Sequence, residues 1–474
     1  DQYYEVDVTD ANGITYKMPQ GNVYFPNIFH RDNYYDIYYQ ENYTKKRLNS
    51  VFGTLQLGYK DMVYLDLTAR NDWSSALAFT ESMSFFYPSV GATFLLDEMF
   101  HMNDDLFDMV KLRASYSVVG NDIPAYYSRP VATLSKLTIT LPTVMPFTDW
   151  KPEKTFSIEA GFDLAMLHNR LRTEFTFYKA NTKNQYFQVS APVASGYSKR
   201  NINAGNVENL GIEASVSYRL DFNHDWSWTP GINFSYNKNE IKELCPGLEE
   251  YNLAEASAFI MKLKKGGSYG DIYTYDFQYD DNGNIKLDNT GAPLLTSDAD
   301  TYAGNFNSKF HLGWSNTINW KNLNIYALVD GKIGGKVLSM TEAIMDGYGV
   351  SKATGDARLN GGVPNKDGSM IDAEKYYSRV GGRAQNAGFN AMEYMYSATN
   401  FRLRELSVGY TFENLFGMNK NLTASVVGRN LFFLYKKSPC DPDISGSTGN
   451  GWQGIDVFSL PATRSWGLNL KLNF

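Results

Sequence analysis

What most restricts the fold of this chain is a repeated apolar–polar alternation in unusually long segments, joined by connections that are alternately short and long. In "MVYLDLTAR", Val63, Leu65, Leu67 and Ala69 oppose Tyr64, Asp66, Thr68 and Arg70. In "RLRTEFTFY", Leu171, Thr173, Phe175 and Phe177 oppose Arg170, Arg172, Glu174, Thr176 and Tyr178. "LTASVVGR" sets Leu422, Ala424 and Val426 against Thr423, Ser425 and Arg429. Successive side chains of a strand point to opposite faces, so each segment has one apolar and one polar side. Roughly 13 such segments of about 10–15 residues follow Arg47, near the length a tilted strand needs to cross a bilayer. Strands of ordinary sandwiches average about 5–6 residues.

The connections sort by strand parity. "YKD" at Lys60, "LHN" at His168, "DFNHDW" at His224 and "NWKN" at Lys321 are tight turns; "DEMFHMNDDLFD" and "ENLFGMNKN" are moderately short. Between them lie Asn121 to Glu153, Lys183 to Ile202, Ile241 to Asn307, Gly335 to Thr399 and Tyr435 to Thr463. Short turns on one side and long loops on the other mark an outer-membrane barrel, and a sandwich or propeller has no reason to show them. The last strand ends on the short-turn side. Counting back an odd number of strands puts residues 1–46 in an external loop leading into the wall, and 47–474 in the barrel. Arg70, Arg113, Arg172, Glu174, Arg404 and Arg429 lie within strands or near their ends. A face this polar lines water or another polar domain, because an unpaired buried charge is costly.

A net charge of −7 with no basic cluster argues against nucleic acid. No run of about 18 apolar residues is present, which excludes a transmembrane helix but not a barrel. The closing "SWGLNLKLNF" puts Trp466, Leu468, Leu470, Leu472 and Phe474 on one face. Trp73 and Trp228, close to strand ends, are expected in interfacial aromatic girdles.

Nine stretches, in order, carry a resemblance. They are "YKDMVYLDLTARNDWSS", "FFYPSVGATFLLDE", "VKLRASYSVVGND", "KPEKTFSIEAGFDLAMLHNRLRTEFTFYKANTKN", "NAGNVENLGIEASVSYRL", "NSKFHLGWSNTINWKNLNIYALVDGKIGGKV", "NFRLRELSVGYTF", "VVGRNLFFLYKKSPCDPD" and "SLPATRSWGLNLKLNF". As a set they resemble the barrel of SusC/RagA-type TonB-dependent transporters. The resemblance implies the C-terminal part of a 22-stranded, plugged barrel. It further implies import of a glycan or oligopeptide, energy from TonB acting through an N-terminal segment, and a SusD-type surface lipoprotein over the mouth. No cofactor and no covalent chemistry are implied. The terminal aromatic strand resembles the signal by which such barrels are recognised for insertion. About 13 strands cannot close so large a barrel without open edges in hydrocarbon, so a longer protein is expected. A passive porin or adhesin barrel is the alternative, and a secreted carbohydrate-active all-β enzyme the third reading.

No catalytic constellation emerges. The five histidines are scattered, with no metal-ligand spacing. "DDNGN" offers Asp280, Asn282 and Asn284, with Asp288 beyond, as a candidate calcium site, but Asp-Asn-Gly is also ordinary turn chemistry and a turn is preferred. Tyr126, Tyr127, Tyr348, Tyr376, Tyr377, Tyr394, Tyr396 and Trp452 fall in long external loops, where rings stack on sugars or pack against a partner. Cys245 and Cys440 share the external side, where a disulfide is permitted.

Overall fold

A computed structural model describes residues 44–474 except 103–104, 129–132, 136–137, 141, 146, 148, 192, 246, 257, 383–389, 415–419, 447–450 and 474. Before residue 44 it describes only the backbone of three short paired strands, Val6–Thr9, Thr15–Met18 and Asp36–Tyr38.

Thirteen strands form one antiparallel sheet in which each pairs with its neighbours in sequence. They are β1 Leu48–Tyr59, β2 Val63–Ser74, β3 Ser84–Leu95, β4 Phe107–Asn121, β5 Glu153–Met166, β6 Leu171–Ser190 and β7 Lys199–Tyr218. Then follow β8 Trp226–Glu243, β9 Phe310–Trp320, β10 Leu323–Ile333, β11 Asn400–Phe412, β12 Asn421–Lys436 and β13 Ser465–Asn473. β1 and β13 are the edges of the sheet. The tight turns have the backbone that their residues suggest: Lys60 and Asp61 take positive φ, as do Leu167, His168 and Asn169. Such turns match the twist of a hairpin.

Register makes the two faces unequal. One row of directly paired residues runs Phe94, Leu112, Phe162, Phe175, Ala214, Phe234, Leu312, Gly331, Phe401. The adjacent row, one residue along each strand, runs Lys111, Asp163, Glu174, Ser215, Asn233, Gly313, Asp330, Arg402. A second apolar row, Trp228, Ile318, Ile325, Val408, Val426 and Leu468, carries the band to the last strand. Its members are exposed as lipid-facing residues are: Ile232, Val426 and Leu468 show half or more of their surface. The band is bordered near the short turns by Trp226 and Trp320, whose rings lie 6.2 Å apart. Trp73 and Trp228 lie on the same outer face at opposite ends of the wall. This is the aromatic girdle of a membrane barrel.

The loop expected from Lys183 to Ile202 is mostly strand. β6 and β7 each run 20 residues and stay paired from Leu171–Tyr218 up to Ser190–Lys199, leaving a short connection. The ladder continues where lipid no longer demands an apolar side.

The other long connections fold together. Segments 244–309, 334–399 and 437–464 share one core built from Phe259, Ile272, Phe277, Leu338, Ile371, Tyr376, Val380, Tyr394 and Ile455. Lys336–Ser339 sits between Met395–Ser397 and Ile455–Asp456 in a small sheet that ties two of the loops together. Three helices, Met340–Gly347, Lys352–Leu359 and Ala373–Val380, start at Ser339, Ser351 and Asp372, each side chain accepting a first-turn N–H. The result is a packed cap over the polar face of the wall.

Candidate functional site

Between the polar face of the wall and the underside of the cap lies a cavity of about 1570 Å³. Its wall side is a run of amides. Asn239 and Asn237 both donate to the Asn209 carbonyl oxygen, at 2.9 and 3.4 Å, and the Tyr178 hydroxyl donates to Asn237 at 3.2 Å. Tyr178 is held flat by its partner across the ladder: a Cβ on Gly211 would sit 2.3 Å from the Tyr178 ring, so only glycine fits beneath it. Asn239 also joins wall to cap, its oxygen accepting from the Tyr269 N–H at 2.8 Å and the Ser268 hydroxyl at 3.2 Å. These amides and the phenol present uncharged donors and acceptors, while Glu153, Glu213, Lys309, Lys332 and Asp443 bring charge of both signs to the same lining.

A charged cluster closes one end. Arg402, only 4% exposed, donates to Asp441 at 2.6 Å and Asp443 at 3.4 Å while its guanidinium lies 4.1 Å from the Phe433 ring centre. Arg404 occupies a bulge in β11, which turns its side chain to Asp330, Asp443 and Asn430. Lys332 reaches Asp443 at 2.6 Å. Burial pushes the Asp443 carboxyl up, but these three cations outweigh it and hold the carboxyl below its usual range. The cluster fastens the loop before β13 to the wall.

The residues expected at the site divide sharply. Tyr376 and Tyr394 are core, 9% and 3% exposed; Tyr394 donates to the buried Asp346 at 2.9 Å, and burial pushes its hydroxyl pKa far up. They brace the cap from within its core. Tyr377 packs on Tyr376, Tyr396 donates to Glu342 at 2.5 Å, and Trp452 lies edge-on to Phe259. Tyr127 packs against Trp150 and Tyr186 in a separate cluster over β3 to β5. Tyr126 and Tyr348 stay exposed on the surface. None of these eight lines the cavity.

Asp280 is occupied by its own turn, accepting from the N–H groups of Asn282 and Asn284 and from the Asn284 amide. Asp288 does the same with Thr290 and Ala292, whose hydroxyl and N–H hold its carboxyl at about 2. Among the described residues no group of three or more potential metal ligands gathers. The turns instead lock two loops: Asn365 bonds both backbone groups of Ile285, and Arg379 reaches Asp288 at 3.3 Å. Cys245 and Cys440 are not joined in a disulfide. Trp466, Leu468, Leu470 and Leu472 face outward on β13, and Phe474 lies outside the described residues.

The cavity residues were the ones missed. Their signal in the sequence was a tyrosine, Tyr178, on the polar side of an otherwise aliphatic–aromatic alternation, with Asn237 and Asn239 on the polar side of β8.

Comparison with known proteins places the architecture. The family described as TonB dependent receptor-like, beta-barrel, matches residues 1–431. TonB-dependent receptor P3 of Formosa agariphila is 25% identical over 90% of the chain and 45% of its own length. TonB-dependent receptor SusC of Bacteroides thetaiotaomicron is 23% identical over 91% of the chain and 44% of its own. The chain thus spans about half the length of these relatives. Among solved structures, the RagAB peptide importer in its open-open state superimposes with a TM-score of 0.72 at 21% identity, covering 90% of the chain and 47% of the other. The closed-closed state gives 0.71 at 20% identity, covering 97% and 52%. The chain therefore belongs to the TonB-dependent receptor β-barrel family of the outer membrane.

Proposed function

We propose that this chain supplies wall, cap and cargo cavity of a TonB-dependent importer that moves a glycan or oligopeptide inward across the outer membrane. The observation that carries this reading is the cavity: amides line its wall side and aromatic and aliphatic side chains such as Phe187, Leu263 and Phe306 share the lining, it is far larger than a pocket for one small molecule, and it is roofed by loops with their own core. TonB provides the energy, and a SusD-type lipoprotein covers the external mouth. The likeness to SusC and to structures described as a peptide importer supports both the direction of transport and the cargo class.

The test is uptake of labelled oligosaccharides and oligopeptides by cells carrying the full-length protein, with and without TonB. Uptake should vanish without TonB, and Tyr178→Ala with Asn237→Ala should reduce it at unchanged protein level. Uptake that persists without TonB would make this a passive pore. Tagged full-length protein should also bring down a surface lipoprotein.

A further inference from the structure

The ladder fixes the order in which charges meet the cavity along the wall. Alternate residues of a strand share a face, so directly paired inward residues form rows across the strands. One row runs Thr176 on β6, Glu213 on β7, Ser235 on β8, His311 on β9 and Lys332 on β10. The next row towards the cap runs Tyr178, Gly211 and Asn237. Lys309, just ahead of β9, continues it, its carbonyl accepting the Asn237 N–H at 3.4 Å. Glu213, Ser235, Lys309, His311 and Lys332 all line the cavity.

Several charged groups of this lining are already matched. Lys332 reaches Asp443 at 2.6 Å, and Asp271 accepts from the Ser268 N–H at 2.7 Å and the Asn305 amide at 2.8 Å. Glu153, Glu213 and Lys309 are not. Among the described residues none of the three takes part in an ion pair or a side-chain hydrogen bond. These free charges separate by sign: the two acids stand on β5 and β7, while Lys309 and the His311 ring stand on the β9 side. Two strand spacings, about 10 Å, part Glu213 from His311. Only Ser235 lies between them in the row, and Tyr178, lying over Gly211, borders the same gap.

We propose that Glu213 on one side, and Lys309 with His311 on the other, form a dipolar subsite that selects cargo carrying an ammonium and a carboxylate about 10 Å apart. The inference rests on reading this cavity as the cargo site, and it favours short zwitterionic peptide segments over neutral oligosaccharides. The cargo ammonium donates to the Glu213 carboxylate, and the cargo carboxylate accepts from the Lys309 ammonium and the His311 ring. Hydrogen bonds with an ionised partner are the stronger kind, so both ends hold firmly. Three extended residues span about 10 Å, which matches the gap. Their peptide groups then meet the Tyr178 hydroxyl and the Asn237 amide, which both donate and accept. A neutral glycan uses those groups too but leaves Glu213 and Lys309 without a partner.

The experiment is calorimetry on the full-length protein in detergent micelles. The probes are trialanine with free ends, trialanine blocked at both ends, an end-blocked lysine–alanine–glutamate peptide and a neutral glucose tetramer. Free trialanine should bind if the charges are chain ends, and the blocked lysine–glutamate peptide if they are side chains of a longer cargo. Blocked trialanine and the tetramer should bind at least about tenfold more weakly than the better of these two, the equivalent of ~1.4 kcal/mol. Glu213→Gln and Lys309→Gln should each weaken the charged probe about tenfold and leave the tetramer unchanged. Glu213→Lys should reverse the preference towards N-succinyl trialanine, which has a carboxylate at both ends; a merely structural role for Glu213 gives no such reversal. Equal binding of charged and blocked peptides by the wild type, or unchanged affinity in both Gln variants, overturns the proposal. Tyr178→Ala with Asn237→Ala then separates the two readings. If that variant loses the blocked peptide or the tetramer, the cavity stands as the cargo site and only the charge subsite falls; if it loses nothing, both fall.

Discussion

Ile232→Arg tests the facing of the wall most directly. Ile232 lies near the middle of β8, paired with Val216 on one side and Trp314 on the other, and about half its surface is open to lipid. The outward residues before and after it run from Trp226 to Tyr236, so it sits far from either interface. An arginine at the midplane of a barrel's outer face costs roughly 2–4 kcal/mol, which lowers the folded-to-unfolded ratio by roughly 30- to 900-fold. Asn233, one residue on, faces the polar side between Ser215 and Gly313, and a Cβ on Gly313 would still be 3.6 Å from it. Asn233→Arg should therefore stay within about 0.5 kcal/mol of wild type, as exposed substitutions usually do. Urea titration of protein refolded into vesicles, followed by tryptophan fluorescence and by the heat-modifiable gel band, measures both. If Asn233→Arg is the damaging change, or both are equally mild, the assignment of faces fails.

Other perturbations address the cap and its attachment. Arg402→Ala leaves Asp441 and Asp443 without their buried partner and should cost about 3–5 kcal/mol locally, seen as faster amide exchange across 437–464. Tyr394→Phe removes the donor to Asp346, whose other oxygen already has no partner among the described residues. It should cost the cap about 1–3 kcal/mol, again by exchange, with the wall unaffected. Asp288 has a folded-state value near 2, below its unfolded value. Its contribution is complete at neutral pH and disappears as pH falls from about 4 to about 2. Asp288→Asn should flatten the acid sensitivity of the cap in a protease-susceptibility profile over that range.

The wall was legible because lipid imposes a rule on every second residue. A strand such as β6 must read Leu171, Thr173, Phe175, Phe177 on one side, whatever its neighbours do. Where the membrane stops, the rule stops, and Gln185 to Gln188 look like loop although they remain in the ladder with Gln188 opposite Asn201. The cap was opaque for a different reason. Phe277, Tyr394 and Ile455 share a core only because three distant loops converge, and nothing local distinguishes a tyrosine that will be buried from one that will meet a ligand. Asp280 and Asp288 show the same ambiguity, since a carboxylate that accepts its own turn's N–H groups has the spelling of one that holds a cation.

The small sheet at the centre of the cap carries a consequence for biogenesis. Leu338 pairs in parallel with Ile455, more than a hundred residues later, across the connection that leads into the last strand. The wall forms from neighbours in sequence, most of them joined by short connections, although β8–β9 and β10–β11 pair across the long loops. The cap has no such order: its core lacks a wall until the loop before β13 has crossed to the outside. Closure of the cap therefore waits on the crossing of that loop. Until then Phe259, Leu338 and Tyr394 stay open to proteases at the cell surface, so an arrested barrel is distinguishable from a finished one by where it is cut.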